Sequence, residues 1–231
     1  MKIALINLSG NVGKTTIARH LLLPRMPKAE LVSIESANAD EGEADALKGK
    51  QFAVLQQALL VADSLIVDIG ASNIEDVLVE MKKFDGSHED FDYFVVPTVG
   101  DIKQQRDTAR TLVTLADIGV QAVRLRVLLN RVDPTLPTEQ QFSTLEQFLT
   151  AKPVCLFNAK CAIRENEIYQ LLKHDSRSIQ ELAEDKTDFK ALIAKANAAD
   201  KVKHAQALAV KRLATGVLAD LDACFEALAL K

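Results

Sequence analysis

A short segment near the amino terminus combines glycine, lysine and threonine in an order suited to holding phosphate. The segment Ser9-Gly10-Asn11-Val12-Gly13-Lys14-Thr15-Thr16 directly follows an apolar run at residues 3–6. Glycines let the backbone turn its N–H groups toward one point, where Lys14 would meet the β- and γ-phosphates and Thr15 would offer a hydroxyl to Mg²⁺. A helix beginning at Lys14 would add the positive end of its dipole. The sequence therefore predicts that residues 10–16 bind the phosphates of a nucleotide.

The segment departs from the usual phosphate loop at its beginning. Leu8 stands where a glycine precedes the Gly-Lys pair by five residues. The alternative is a glycine-rich turn between a buried strand and a helix, which would explain Gly10 and Gly13. That alternative does not explain the Lys-Thr-Thr run that ends the segment, and we favour the phosphate loop.

A carboxylate follows a second apolar run. Asp68 ends the run at residues 65–67 and is followed closely by Gly70. We predict that Asp68 coordinates Mg²⁺ through water, and that residues 70–73 respond to the γ-phosphate. The alternative is a carboxylate that only begins a turn.

Two further sets of polar residues follow expected strands. Asn130 has both an amide donor and an acceptor that could read the edge of a purine, and Arg131 could stack on the base. Asp40 and Glu35 should face the phosphate end of the sheet, where they are candidates for orienting the attacking water. The alternatives are an ordinary turn for Asn130, a solvated side chain for Arg131, and solvated acidic side chains after the second strand.

Six short apolar runs alternate with longer helical patterns, which indicates an α/β fold. Apolar runs of this kind are typical of parallel strands covered by helices on both faces. We expect a doubly wound, mostly parallel sheet flanked by helices, with Ser72 and Glu75 capping the helix after the third strand. The expected strands are 2–7, 31–35, 64–69, 93–97, 124–130 and 153–157, and the expected helices are 14–23, 51–62, 73–84, 102–115, 139–150 and 164–173.

The length and composition suit one sizeable core. The chain has 231 residues, of which 48% are hydrophobic, so we expect a nucleotide-binding domain at residues 1–186. Residues 187–231 are rich in alanine, with apolar positions at helical spacing, and are expected to form a helical extension packed on that domain or on a partner.

Charge, cysteine spacing and hydropathy limit the partners and the cellular environment that we expect for this protein. A net charge of -4 argues against a protein that binds DNA over its whole surface. Three cysteines without paired spacing suggest buried free thiols in a reducing cytoplasm, and the absence of a leader or a long apolar run predicts a soluble protein. Four basic residues of the tail could either contact DNA locally or form a solvated helix face. They are Lys201, Lys203, Lys211 and Arg212.

Taken together, these motifs resemble the ParA/MinD class of deviant-Walker ATPases over residues 1–184. The matching pieces are residues 9–16, 67–70, 94–98 and 129–131, with residues 162–167 and 178–182 following the same pattern. The resemblance implies a P-loop NTPase fold, ATP and Mg²⁺ as ligands, a dimer, and slow hydrolysis that a partner stimulates.

Within that class, residues 7–21 look most like the StbB group of plasmid-stability ATPases. This implies a role in plasmid stability or partition, and in conjugation, beside a DNA-binding partner protein. The chain has Ser9 where the class has a lysine that reaches across the dimer, and Asn11 where it has glycine. Two alternatives stay open: a P-loop small-molecule kinase or ATP-dependent ligase, and an adaptor that holds nucleotide without hydrolysing it.

Overall fold

The strands form one parallel sheet. The structure, a computed structural model, describes residues 1–34, 44–173 and 175–230. Within them, six strands pair in the order β2-β3-β1-β4-β5-β6, and every pairing is parallel. The predicted α/β fold class is confirmed. The strands are β1 Lys2–Leu5, β2 Glu30–Ile34, β3 Leu65–Ile69, β4 Tyr93–Thr98, β5 Leu125–Val132 and β6 Ala162–Arg164.

Helices cover both faces of the sheet. Alternate residues of β1 and the residue after it divide between two cores: Ala4 and Ile6 face one, and Ile3 and Leu5 face the other. This explains why the strands read as continuous apolar runs instead of alternating ones. The helices of the described residues are α1 Lys14–Ile17, α2 Ala44–Val61, α3 Ile74–Lys83, α4 Ile102–Ile118, α5 Thr138–Gln141, α6 Ser143–Ala151, α7 Ile168–Leu171, α8 Ile179–Glu184, α9 Phe189–Lys195 and α10 Ala198–Leu228.

The chain turns from one half of the sheet to the other at β1. This strand lies between β3 and β4, so the loop after β1 opens at the point where the winding changes direction. Crevices at the carboxyl ends of strands collect ligands at such a point. The phosphate-loop candidate therefore occupies the ligand-binding position of a doubly wound sheet.

The sixth strand differs from the prediction. Residues 153–157 supply only one isolated bridge, between Leu156 and Arg126, whereas Ala162–Arg164 pairs with the carboxyl-terminal part of β5. Pro153 lacks an N–H group, and the Val154 amide bonds back to the Lys152 carbonyl in a turn. The expected helix at 164–173 is accordingly wrong at its start, since Arg164 ends β6 and the helix covers only Ile168–Leu171.

Several other helix boundaries also differ, and α2 begins at Ala44 instead of residue 51. The first helix is α-helical for one turn and continues as a π-helical segment, Ala18–Leu22. The helix expected at 139–150 is divided at Phe142, whose ring is fully buried. Ser72 is not the cap of α3, because residues 71–73 form a 3-10 turn and Asn73 is the N-cap residue.

The carboxyl-terminal half of α10 packs on the sheet domain. Ala214, Val217, Leu221, Cys224 and Leu228 recur every three or four residues and are buried in the core that contains α1.

Two polar contacts, the first buried and the second exposed, anchor this helix. The Arg126 Nε donates to the Leu228 carbonyl at 2.7 Å, and the Arg25 Nε donates to Asp222 at 2.9 Å. All three cysteines are buried and free, as predicted. Across the described residues, we find no helix with the length and hydropathy required to cross a bilayer.

Candidate functional site

The phosphate-loop candidate connects β1 to α1 through two residues in left-handed conformation. Asn11 has φ 58° and Gly13 has φ 88°. A Cβ atom at Gly13 would lie 2.2 Å from Nδ2 of Asn130, so this position needs glycine for both its backbone and its close neighbour. The sequence prediction of a tight glycine-dependent loop at this point agrees with the geometry.

Lys14 is folded back over the entrance to the loop. Its side chain is 7% exposed, and Nζ donates to the carbonyl oxygens of Asn7 and Ser9, at 3.2 Å each. Burial lowers the pKa of Lys14 to about 8, although the nearby Asp68 carboxylate raises it. A partly desolvated ammonium beside loop amides is an electrostatic site for an anion.

Thr15 and Asp68 meet beside the loop. The Thr15 hydroxyl donates to Oδ2 of Asp68 at 2.6 Å, and Asp68 is 5% exposed near the carboxyl end of β3. A hydroxyl and a carboxylate oxygen are hard ligands of the kind that Mg²⁺ prefers. The two residues predicted as metal ligands are therefore brought together by the pairing of β1 with β3, and their chemistry fits that ion.

Two cavities of about 440 Å³ each meet over the loop. The first contains the loop residues with Asp68, Gly70 and Ala71, and the second contains Asn130 with the segment that leads into α7. Cavities of this size hold small-molecule ligands. Both are lined by Asn11, Gly13, Thr16, Arg131, Tyr169 and Lys173.

The structure brings Asn130 against the loop from β5. Asn130 is 6% exposed, and its Nδ2 donates to the Val12 carbonyl at 2.8 Å. Arg131 is exposed and has φ 53°, at the irregular pairing of β5 with β6. Both residues, which the sequence predicts as contacts to a base, line the second cavity. Asp40 and Glu35 lie outside the described residues.

Sequence reasoning missed several residues that surround the loop. Asp107 and Thr108 of α4 bond to the loop entrance, while Arg19 and Tyr169 line the first cavity. Only Arg19 has a local signal in the sequence, because it is a basic residue that closely follows the phosphate loop. The others reach the site through tertiary packing.

Comparison with known proteins identifies the fold. No protein-family model and no curated protein sequence matches this chain. McdA from Cyanothece, solved without ligand, aligns with TM-score 0.56 and 16% identity, over 78% of this chain and 92% of that one. A single-residue variant of Cyanothece McdA, solved in complex with ATP, aligns with TM-score 0.53 and 15% identity, over 96% of both chains. The cell division protein MinD from Aquifex aeolicus aligns with TM-score 0.51 and 12% identity, over 80% of this chain and 90% of that one. The chain therefore shares the fold of McdA and MinD.

Proposed function

We propose that this protein is an ATP-binding molecular switch of the ParA/MinD type that hydrolyses ATP slowly. The observation that carries the proposal is the group formed by Lys14, Thr15 and Asp68 at the base of a cavity over the loop. Loop amides and a buried ammonium suit a triphosphate, and a hydroxyl beside a carboxylate suits its metal ion. The ATP complex of a protein with the same fold supports this choice of ligand.

Each predicted residue has a place in this proposal. Gly10, Asn11, Val12, Gly13 and Thr16 would surround the phosphates with backbone amides, and Lys14 would meet the β- and γ-phosphates. Thr15 would hold Mg²⁺ directly and Asp68 through water. Bound Mg²⁺ neutralises phosphate charge and lowers the barrier to phosphoryl transfer.

Asn130 and Arg131 would bind the base. Because Nδ2 of Asn130 donates to Val12, its Oδ1 is the atom that can accept from a ligand. An acceptor at this point suits the exocyclic amino group of adenine. Arg131 lines the same cavity and would cover the face of the ring.

Residues 70–73 would report the γ-phosphate to the edge of the sheet. The Gly70 amide and Nδ2 of Asn73 both donate to the Ile34 carbonyl, at 2.9 Å each. A movement of the Gly70 backbone would therefore be transmitted through the Ile34 carbonyl to the end of β2. We retain Asp40, which follows β2 in the sequence, as the proposed residue that orients the attacking water.

We further propose that the protein acts in plasmid stability or partition and in conjugation. It would do so as a dimer in the cytoplasm, together with a DNA-binding partner protein. The resemblance of residues 7–21 to the StbB group supports it. A weak nonspecific contact with DNA would come from Lys201, Lys203 and Arg212, which are exposed on α10, and from the half-buried Lys211.

Calorimetry with ATP and Mg²⁺ tests nucleotide binding directly. Lys14→Ala should abolish detectable binding while the fold is retained, and Asp68→Ala should mainly weaken the Mg²⁺ dependence. Unchanged ATP binding in Lys14→Ala would refute the site. Turnover measured with and without plasmid DNA and a neighbouring DNA-binding protein then tests the partition role, which requires stimulation.

A small-molecule kinase or ligase is the second candidate, and one cavity favours it. A space of about 610 Å³ adjoins the phosphate cavity and shares Arg19 and His20 with it. An acceptor must reach the γ-phosphate, however, and neither Thr15 nor Asp68 lines this space. Transfer of labelled phosphate to a metabolite, without any response to DNA or protein, would favour this candidate.

A further inference from the structure

The hydroxyl of Ser9 is directed into its own chain. Ser9 is 4% exposed, and its Oγ donates to Oδ2 of Asp107 on α4 at 2.8 Å. Its amide donates to Oδ1 of Asn7 at 2.8 Å, and its carbonyl accepts from Lys14. The side chain, the amide and the carbonyl of Ser9 are therefore all engaged within the chain.

Helix α4 holds the whole entrance to the phosphate loop. Nδ2 of Asn7 donates to the Thr108 hydroxyl at 2.7 Å, and the Leu8 amide donates to the Thr111 hydroxyl at 3.1 Å. Together with Asp107, these side chains lie on one side of the helix, because residues three and four positions apart are neighbours there. Three consecutive loop residues are thus bonded to three side chains of one stretch of helix.

The same loop residues also hold Lys14. Its ammonium bonds to two carbonyl oxygens, those of Asn7 and Ser9, and both residues are fixed by α4. The bond between Ser9 and Asp107 therefore restrains the residue whose carbonyl holds Lys14. A hydrogen bond to a charged acceptor is among the stronger ones in proteins, so Asp107 restrains this carbonyl firmly.

We propose that Asp107 is a positioning residue for Lys14, acting through the hydroxyl of Ser9. The proposal rests on the function proposed above, because its consequence is read at the β- and γ-phosphates. It also gives Ser9 a role different from that of the lysine found there in the ParA/MinD class: Ser9 braces its own site and does not reach a second subunit. The ammonium that meets the phosphates is then prepared entirely within one chain.

The test compares nucleotides in variants of the full chain. Asp107→Ala should raise the dissociation constants of ATP and ADP about five- to tenfold, the range expected when a charge-assisted bond is lost. AMP lacks the phosphates that Lys14 meets, so its inhibition constant against a fluorescent ATP analogue should change by less than about twofold. Asp107→Asn keeps an acceptor oxygen and should recover most of the affinity.

Two further variants separate positioning from general damage. Ser9→Ala should match Asp107→Ala, and the double variant should be no weaker than either one, because both remove the same bond. Asp117→Ala removes an exposed carboxylate elsewhere on α4 and should leave all three affinities unchanged.

The outcomes distinguish this inference from the proposed function. If the wild-type chain binds no ATP, the proposed function fails. If the wild type binds ATP and Asp107→Ala binds it equally well, or if AMP binding falls as much as ATP binding, the positioning role of Asp107 is refuted while ATP binding stands.

Discussion

Nδ2 of Asn130 donates a hydrogen bond to the carbonyl oxygen of Val12 at 2.8 Å, joining residues 118 positions apart in the chain. The bond connects the carboxyl-terminal part of β5 to Val12 in the phosphate loop. It also places Asn130 next to Gly13, where any side chain would collide with its amide. The segment proposed to read the base and the segment proposed to hold the phosphates are therefore mechanically connected.

Gly13→Ala should disrupt this connection. The new methyl group would displace the Asn130 amide, and the alanine would be held at positive φ, so we expect ATP binding to be lost. Gly86→Ala is a matched control, because Gly86 also has positive φ but its Cβ would meet open space. The control should lose roughly 1 kcal/mol of stability from backbone strain alone. Urea unfolding and calorimetry of both variants check the difference, and equal effects on ATP binding would contradict it.

Asn130→Ala should weaken ATP binding about tenfold, the effect of losing one well-placed polar contact of about 1.4 kcal/mol. It should also reduce the preference for ATP over GTP, because the acceptor proposed to meet adenine is removed. Asn158→Ala serves as the control, since Asn158 makes an exposed bond to the Ala227 carbonyl. Competition between the two nucleotides measures the preference. If Asn130→Ala binds ATP more weakly but keeps the same preference for ATP over GTP, Asn130 supports the phosphate loop through its bond to Val12 and does not recognise the base.

Local patterns were sufficient for the parts of the molecule that lie close together in sequence. The phosphate loop has its lysine, threonines and glycines within one short segment, residues 9–16, and the buried strands are visible as apolar runs. The sixth strand was misplaced because residues 153–157 and Ala162–Arg164 are both short and partly apolar. What distinguishes them is which part of β5 they meet, and that depends on tertiary packing.

Asp107 shows why part of the site could not be predicted. In the sequence it is one of several charged residues of a surface helix, with no pattern that distinguishes it from Asp117. Its importance arises from the packing of α4 beside the phosphate loop, which brings it to Ser9 across 98 residues. The same holds for Tyr169, which follows β6 in the chain and lines both cavities over the loop only through tertiary packing.

The pH dependence of ATP binding should report Lys14. Its pKa of about 8 in the unliganded protein means that the ammonium loses its proton in the mildly alkaline range. Because the charged form binds phosphate, affinity should be constant below this value and fall by up to about tenfold per pH unit above it. ATP titrations from neutral pH to two units above the pKa of Lys14 measure the change. An affinity that stays level across this range would exclude Lys14 as the titrating contact.

The free energy of unfolding without nucleotide should show the opposite trend. The folded pKa of Lys14 lies below its ordinary value of 10.5, so the unfolded chain binds more protons between these two values. The contribution of Lys14 to stability should therefore rise as pH increases from about 8 to 10.5. Lys14→Met removes the titrating group, and the difference between wild type and variant isolates it. A difference that does not vary with pH would show that Lys14 keeps its ordinary pKa.

Arg126→Met should loosen the end of α10. Arg126 is 6% exposed and donates to the carbonyl oxygens of Leu228, Val123 and Leu125, with its guanidinium 4.9 Å from the centre of the Tyr93 ring. Methionine is similarly long but donates nothing, so buried carbonyl groups lose their partner at a cost of about 2 kcal/mol. Urea unfolding should show this loss. Relative to wild type, hydrogen exchange should increase most in the last turn of α10, because the positive charge of Arg126 also stabilises the helix dipole there.

Arg124→Met is the control for this experiment. Arg124 makes longer bonds to the Glu89 and Phe91 carbonyls and none to α10, so its loss should leave the exchange of α10 amides unchanged. If exchange in the last turn of α10 is equally slow in both variants, the helix is held by its apolar side chains alone. Faster exchange in Arg126→Met only would assign the anchoring of Leu228 to the guanidinium, because the two variants differ in that contact.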